Sequence, residues 1–584
     1  MYYKPYDTPC LPKTWNISDD LGQIEYVFSD KTGTLTQNVM EFQRCSVYGV
    51  AYGEGVTEAQ RGAATRDGRG DNFDPRALNE KLATLKHQMI STMERTFKNR
   101  YMQSDKLTLV SPKFAEHLAD RTSEQRSHIM AFFRALALCH SVLADKPEPQ
   151  LQPYLINYKA ESPDEAALVA AARDAGFPFL GKSRDTLEIE VMGQSEKYSF
   201  LKMLEFNSTR KRMSVILRCP DGRIILYCKG ADSVIYERLA KDHDPNLKDQ
   251  TSKDMEAFAN NGLRTLCISY RYVEEEEFLN WSRIYDIAVN AIENREEEID
   301  KANDIIEHSL LLLGATALED KLQEGVPEAI EMLHRAGIKL WILTGESYRK
   351  DTLKKPDQTI LSGDKLQTAI EIGYSCNLLK STMDLMILSA STLEQTRAQI
   401  EAGLNKIASV LGPPSWDIRK RGFVPGAQAS FAVVIDGDTL RHALTPELKP
   451  LFLNLATQCE TVVCCRVSPA QKALTVNLVG VLVLCDMLVS YDFFFQVKTG
   501  RNAMTLSIGD GANDVAMIQE ANIGCGLYGL EGSQAAMSAD YSFGQFRFLT
   551  KLLLVHGRWS YQRVADMHSN FFYKVSCELL LFDF

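Results

Sequence analysis

Six short apolar runs mark the chain at 24–28, 338–343, 431–435, 461–464, 504–508 and 523–526, and helical stretches such as 326–335 lie between some of them. Short continuous apolar runs alternating with helices predict strands buried on both faces, the pattern of a doubly wound parallel α/β sheet. The first run stands far upstream of the others, so a second domain has to be inserted after it and return near Leu312. Residues 53–74 carry glycines and charges with few apolar positions, which predicts a flexible excursion on that inserted domain.

Composition narrows the classes. At 584 residues the chain is too long for one core and predicts two or more domains. A net charge of −11, from 76 acidic and 65 basic residues, argues against a nucleic-acid partner. The 13 cysteines form no Cys-x-x-Cys and are scattered through apolar segments, which predicts free buried thiols in a reducing cytosol rather than zinc or disulfides. No apolar core opens the chain, so no secretory leader is expected.

The chemistry gathers where predicted strands end. The run 24–28 leads into Ser29-Asp30-Lys31-Thr32-Gly33-Thr34, which presents a carboxylate at a strand's carboxyl end. An Asp is ionised at neutral pH and attacks phosphorus without an activating base. Lys31 can neutralise phosphoryl charge, Gly33 lets the backbone approach, and Thr32 and Thr34 offer oxygens. Downstream, the run 504–508 ends in Gly509-Asp510-Gly511-Ala512-Asn513-Asp514, and Lys472 follows the run 461–464 within Arg466-Val467-Ser468-Pro469-Ala470-Gln471-Lys472. Each string alone is equally well a polar turn after a strand. Together, a strand-end Asp, a hydroxyl, a Lys and a terminal pair of Asp are the parts of a phosphoryl-transfer site.

That order resembles the haloacid-dehalogenase (HAD) phosphotransferase fold, and the pairing of Asp30-Lys31-Thr32-Gly33-Thr34 with Gly509-Asp510-Gly511-Ala512-Asn513-Asp514 resembles the P-type ATPases. Further strings, among them Glu161-Ser162-Pro163-Asp164-Glu165-Ala166, Phe206-Asn207-Ser208-Thr209-Arg210-Lys211-Arg212-Met213-Ser214, Lys229-Gly230-Ala231-Asp232 and Gly262-Leu263-Arg264-Thr265-Leu266, are similar to the type IV branch, the phospholipid flippases, in a fungal-like form. The resemblance implies a HAD-like phosphorylation domain at 1–44 and 312–548, an inserted α+β nucleotide-binding domain at 45–311, and a lead-in to a truncated membrane helix at 549–584. It implies an aspartyl phosphate on Asp30 formed from ATP, with Lys31, Lys472, Asp510 and Asp514 as catalytic residues and Mg²⁺ on Asp30, the Thr32 carbonyl, Asp510 and Asp514. Glu165, Phe206, Lys229 and Arg264, together with Thr344, Gly345, Asp364, Arg466 and Asn513, are the remaining nucleotide contacts it implies. Phe206, between polar residues, suits stacking on adenine, although a surface or core Phe is the commoner fate. Implied partners are ATP, a phospholipid, the membrane and an accessory membrane subunit that this chain would grip poorly; the implied place is a membrane, with the catalytic domains cytosolic.

The sequence also departs from that family. The Asp-Gly-Glu-Thr actuator loop and the surrounding membrane helices are expected in type IV pumps and are not found in it. Thr344-Gly345-Glu346-Ser347 spells an actuator string of other branches but follows a phosphorylation-domain run, and reads as coincidence. Residues 346–363 separate Thr344-Gly345 from Asp364, so either Thr344 or Ser362 supplies the phosphate-binding hydroxyl. A second interruption, at 480–496, is apolar but broken by Asp486 and Asp492, which disfavours a membrane span. Both interruptions are what retained introns would produce, and a real splice variant would look the same. An ATP-driven flippase is therefore the leading reading, with a HAD phosphatase or an inactive nucleotide-binding remnant as alternatives.

Overall fold

In the computed structural model, the described residues are all but 5–6, 15, 67–74, 148–149, 161, 208–209, 292–293, 346–365, 412–429, 481–502, 529–533 and 583–584. They form two nine-stranded sheets of opposite character. The first is parallel apart from one edge pair, in the order Met383–Leu388, Ser430–Asp436, Thr461–Val467, Lys339–Gly345, Tyr26–Ser29, Thr505–Gly509, Ile523–Leu527, Tyr541–Phe543 and antiparallel Leu11–Pro12. All six predicted runs are strands of this sheet. Their apolar continuity has the expected cause: Val27 and Leu340 face one core with helix Val326–Arg335, while Phe28 and Trp341 face the other with Phe452 and Val476. The edge strand Met383–Leu388 was not legible as a run, because Asp384 interrupts it and the strand is only partly buried.

Tyr26–Ser29 occupies the middle of the sheet, between Lys339–Gly345 and Thr505–Gly509. Strand order reverses there, and a crevice opens beyond the carboxyl ends.

The second sheet is antiparallel throughout and runs Val50–Tyr52, Thr36–Val47, Leu311–Leu322, Arg264–Val273, Ile224–Gly230, Arg212–Arg218, Gln194–Leu204, Thr186–Val191 and Phe179–Lys182. Its side chains alternate between two cores: Val215, Leu217 and Tyr227 meet Phe132 and Leu168, whereas Ile216, Leu226 and Cys228 meet Trp281 and Ile306. The long strands Thr36–Val47 and Leu311–Leu322 pair with each other and lead from one sheet to the other. The domain boundaries expected from the sequence, at 44/45 and 311/312, fall inside these two strands.

One expectation changes. Within 53–74, residues Glu58–Arg66 form a helix rather than a flexible excursion. Its start is fixed by Thr57, whose hydroxyl accepts from the Gln60 N–H at 3.2 Å while its N–H donates to the Gln60 side chain at 3.1 Å, a reciprocal capping arrangement. Residues 346–363 and 480–496 fall mostly or wholly outside the described residues.

At the other end of the chain, helix Phe548–Lys551, a π-turn Leu552–Gly557 and helix Arg558–Phe582 follow without a break. The π-turn lies against the 3₁₀ turn Asp20–Gln23, where a Cβ on Gly22 would meet the Gly557 carbonyl oxygen at 2.7 Å and one on Gly557 would meet Leu21 Cβ at 2.7 Å. Only glycine fits on either side of so close a backbone approach. Among the described residues, no helix is long and apolar enough to cross a membrane.

Candidate functional site

The loop after the central strand carries Asp30, and its backbone N–H donates to the Ile508 carbonyl of the neighbouring strand at 3.1 Å. That register brings the carboxyl ends of the two strands together. Lys472 comes from the third side. Ser468 and Gln471 form a capping box, with Gln471 N–H donating to Ser468 Oγ at 3.3 Å and Ser468 N–H to Gln471 Oε1 at 2.9 Å, and Pro469 opens the helix Pro469–Gly480. Lys472 therefore sits in the first turn of that helix and points into the crevice.

Its ammonium donates to Asp30 Oδ1 at 2.8 Å and to Asp514 Oδ1 at 2.7 Å, with no exposed surface on the lysine. Carboxylate oxygens of Asp30, Asp510 and Asp514 lie within 4.8 Å of one another. Burial and then the Asp514 charge push the Asp30 carboxyl up to about 6, against the pull of Lys472. Burial opposes the charge on Lys472, but the two carboxylates outweigh it and its value is raised. A cation trapped between two acids is the electrostatic balance this crevice needs, since three carboxylates alone could not all stay ionised in a buried site.

The loop is braced rather than loose. Thr34 Oγ1 donates to Asp510 Oδ1 at 3.1 Å, and Gly33 N–H donates to Thr36 Oγ1 at 2.9 Å. Gly33 has φ +75°, and a Cβ there would run into the Asp510 carboxylate. Buried Gln323 holds the loop from behind: its amide donates to the carbonyls of Gly33 at 3.2 Å and Thr36 at 2.9 Å, and its oxygen accepts from Phe546 N–H at 3.1 Å. Sequence reasoning missed Gln323. Its only signal was an amide directly after the apolar return strand.

A second cluster stands at one end of the antiparallel sheet. Glu165, in the first turn of helix Pro163–Ala175, accepts from Lys229 Nζ at 2.6 Å, from Ser141 N–H at 3.0 Å and from Ser141 Oγ at 2.5 Å. Burial would raise its carboxyl, but Lys229 and these donors hold it down at about 2. Burial and the charge of Lys229 lower neighbouring His140 to about 4. Arg264 forks onto Asp164 at 3.0 and 3.1 Å. Gly230 pairs with Arg212, and Ala231 N–H donates to the Lys211 carbonyl at 3.1 Å, so the loop carrying Phe206 lies beside Lys229. Phe206 is 53% exposed.

The chain is similar to known proteins. Residues 128–325 match the family model described as P-type ATPase, cytoplasmic domain N, and 536–582 match the one described as Phospholipid-translocating P-type ATPase C-terminal. Over 98% of its length the chain is 48% identical to "Phospholipid-transporting ATPase DNF1" of Chaetomium thermophilum and 48% identical to "Phospholipid-transporting ATPase dnf2" of Schizosaccharomyces pombe. The chain belongs to the type IV P-type ATPases. It is also 40% identical to "Phospholipid-transporting ATPase 10" of Arabidopsis thaliana. It spans 35%, 38% and 44% of the length of these three relatives, respectively.

P-type ATPases use ATP and Mg²⁺. Of the residues expected at such a site, the fold brings Asp30, Lys472, Asp510 and Asp514 into one crevice, with Lys31 buried and Thr32 half-buried in the adjoining loop. Thr344 is buried at the end of the neighbouring strand, where its hydroxyl donates to the Cys464 carbonyl at 3.3 Å and accepts from Arg466 N–H at 3.3 Å. Gly345 lies against Lys472: a Cβ on it would meet the ammonium at 3.1 Å. Arg466 is half-buried with φ +57°, and Asn513 is half-buried in the 3₁₀ turn Ala512–Asp514. Glu165, Phe206, Lys229 and Arg264 belong to the second cluster. Asp364 and Ser362 lie outside the described residues.

Proposed function

We propose that this chain is the ATP-handling part of a P-type phospholipid-transporting ATPase, and that Asp30 is its phosphorylated residue. The observation that carries the reading is Lys472 bridging Asp30 and Asp514 with no exposed surface. Asp30 attacks the γ-phosphorus in line; its oxygen–phosphorus bond forms as the bond to the β,γ-bridging oxygen breaks, and ADP leaves with that electron pair. Lys472 offsets charge on the transferring group and fixes the rotamers of both acids, while Lys31 and Arg466 add positive charge beside it.

The donor set fits a hard divalent cation, since three carboxylate oxygens within 4.8 Å match the oxygen ligands of Mg²⁺. Asp30, Asp510, Asp514 and the Thr32 carbonyl would hold it, and when bound it neutralises phosphate charge. Thr32 stands where a second Asp would serve a phosphatase as acid or base, so the aspartyl phosphate is long-lived until another domain supplies a base. The antiparallel sheet holds the nucleotide: Phe206 stacks on the base, and Lys229, Glu165 and Arg264 orient the rest. The parallel sheet, with 1–44 and 312–548, forms the phosphorylation domain, and 45–311 the nucleotide domain. In the longer protein, turnover moves a phospholipid across the membrane, the catalytic domains face the cytosol, and an accessory membrane subunit binds elsewhere.

Incubation with γ-labelled ATP and Mg²⁺ tests the reading. An acid-stable, hydroxylamine-labile label that disappears in Asp30→Asn is expected. Rapid phosphate release from small esters without a stable label would refute it.

A further inference from the structure

Helix Arg295–Ile306 and the residue that follows it carry acids at Asp300, Asp304 and Glu307, spaced to share one face. In the fold they grip the loop that presents Phe206. Glu307 is fully buried and accepts from Arg210 Nη2 at 2.5 Å, from Arg212 Nε at 2.6 Å and from the Ser214 hydroxyl. Asp304 accepts from Arg212 Nη2 and, at 3.2 Å, from Arg238 Nη2. Asp300 accepts from Asn207 Nδ2 at 2.9 and 3.1 Å.

The loop is tied internally by the same residues. Asn207 Oδ1 accepts from Arg210 N–H at 2.6 Å, and Arg210 Nη1 donates to the Glu205 carbonyl at 3.0 Å. Both neighbours of Phe206 in the chain are thus anchored, Asn207 directly to Asp300 and Glu205 through Arg210 to Glu307. The ring itself is left 53% exposed. Burying several charges is a poor way to gain stability, because desolvation offsets most of the attraction, so such a network is better explained by the geometry it enforces. A flat aromatic surface whose two chain neighbours are anchored binds a planar base at a lower ordering cost than one on an untethered loop.

We propose that Asp300, Asp304 and Glu307 are positioning residues that hold Phe206 as a preformed platform for the nucleobase, and so set how strongly the base, as opposed to the phosphate chain, contributes to binding. This rests on the reading of Phe206 as the base-stacking residue. Lys229 and Arg264, read above as orienting the rest of the nucleotide, stand on the strands Ile224–Gly230 and Arg264–Val273.

The test compares the affinities of the full chain for ATP and for inorganic tripolyphosphate by titration calorimetry. Phe206→Ala should weaken ATP about tenfold, the scale of one base–aromatic stack, and leave tripolyphosphate unchanged. Asp300→Ala should weaken ATP by about fivefold, as expected from losing a charge-assisted hydrogen bond, again without affecting tripolyphosphate. Asp300→Asn keeps an oxygen that accepts from Asn207 and should recover most of the affinity. Glu307→Gln should act in the same direction if circular dichroism shows it folded; because it removes a buried charge, the Asp300 pair carries the test. An Asp300→Ala protein with the wild-type ratio of the two affinities, or with both affinities reduced alike, overturns the positioning role while Phe206→Ala still supports the stacking reading. If Phe206→Ala leaves the ratio unchanged, the stacking reading fails and the proposal with it.

Discussion

Replacing Glu319 by Gln probes the electrostatics of the ribbon between the two sheets. Glu319 lies on Leu311–Leu322, opposite Glu41 of Thr36–Val47, and is 7% exposed. Burial, followed by the like charges of Glu58 and Glu41, raises its carboxyl from 4.5 to about 7, even though Glu58 N–H donates to it at 2.6 Å and Arg61 lies nearby. A displacement of that size corresponds to about 3 kcal/mol between the protonated and ionised forms. The folded state holds this proton more tightly than the unfolded state, so the contribution is fully present below about pH 4.5 and is lost as pH rises through about 7. Glutamine keeps the oxygen that accepts from Glu58 N–H and cannot ionise. Glu319→Gln should therefore match wild type near pH 4.5 and exceed it by about 1–3 kcal/mol at pH 8.5, the lower bound allowing for an imperfectly paired amide. Urea unfolding of both proteins at the two pH values measures the difference. An equal offset at both pH values, or a variant less stable than wild type at pH 8.5, would show that Glu319 is not held in its protonated form by this site.

Three other outcomes are expected. Lys472→Met leaves Asp30 and Asp514 buried without their shared cation, which should cost about 3–5 kcal/mol and abolish the acyl-phosphate label; Mg²⁺ should raise the variant's melting temperature more than wild type's in a fluorimetric melt. Gly33→Ala places a methyl group against the Asp510 carboxylate at a φ of +75°, so labelling should fall to background and stability by more than about 1 kcal/mol. Among the described cysteines, burial pushes the thiols of Cys139, Cys267, Cys376 and Cys459 up to about 12, so alkylation of the native protein at pH 8 should begin at the half-buried Cys10 and Cys219, as mapped by mass spectrometry.

What could be read in the sequence follows from how local its cause is. Asp30 and Asp510 were legible because each directly follows a short buried strand, where the carboxyl end of a parallel sheet must present it, and Lys472 because it lies in the first turn of the helix that follows another such strand. Phe206 was legible as an aromatic between polar residues. Helix Glu58–Arg66 was not, because its apolar content is low and its start depends on Thr57, Gln60 and the distant Glu319. For Gln323 the one local signal, an amide directly after the apolar return strand, says nothing of its role, which arises only because that strand passes behind the Asp30 loop. The acids at Asp300, Asp304 and Glu307 were not singled out in the sequence, because their partners Arg210 and Arg212 meet them only in the fold. The choice between Thr344 and Ser362 stays where the sequence left it, since only Thr344 lies among the described residues.

The abutting pair Gly22 and Gly557 has a mechanical consequence. The 25 residues of Arg558–Phe582 make a rod about 37 Å long, seated at its root on the backbone just ahead of the central strand. The two backbones meet at Gly22 and Gly557, with the Cβ atoms of Leu21 and Tyr561 packed beside them, so a tilt of the rod bears on the segment that leads into the central strand. The rod is a lever, and its short arm ends at the nucleophile.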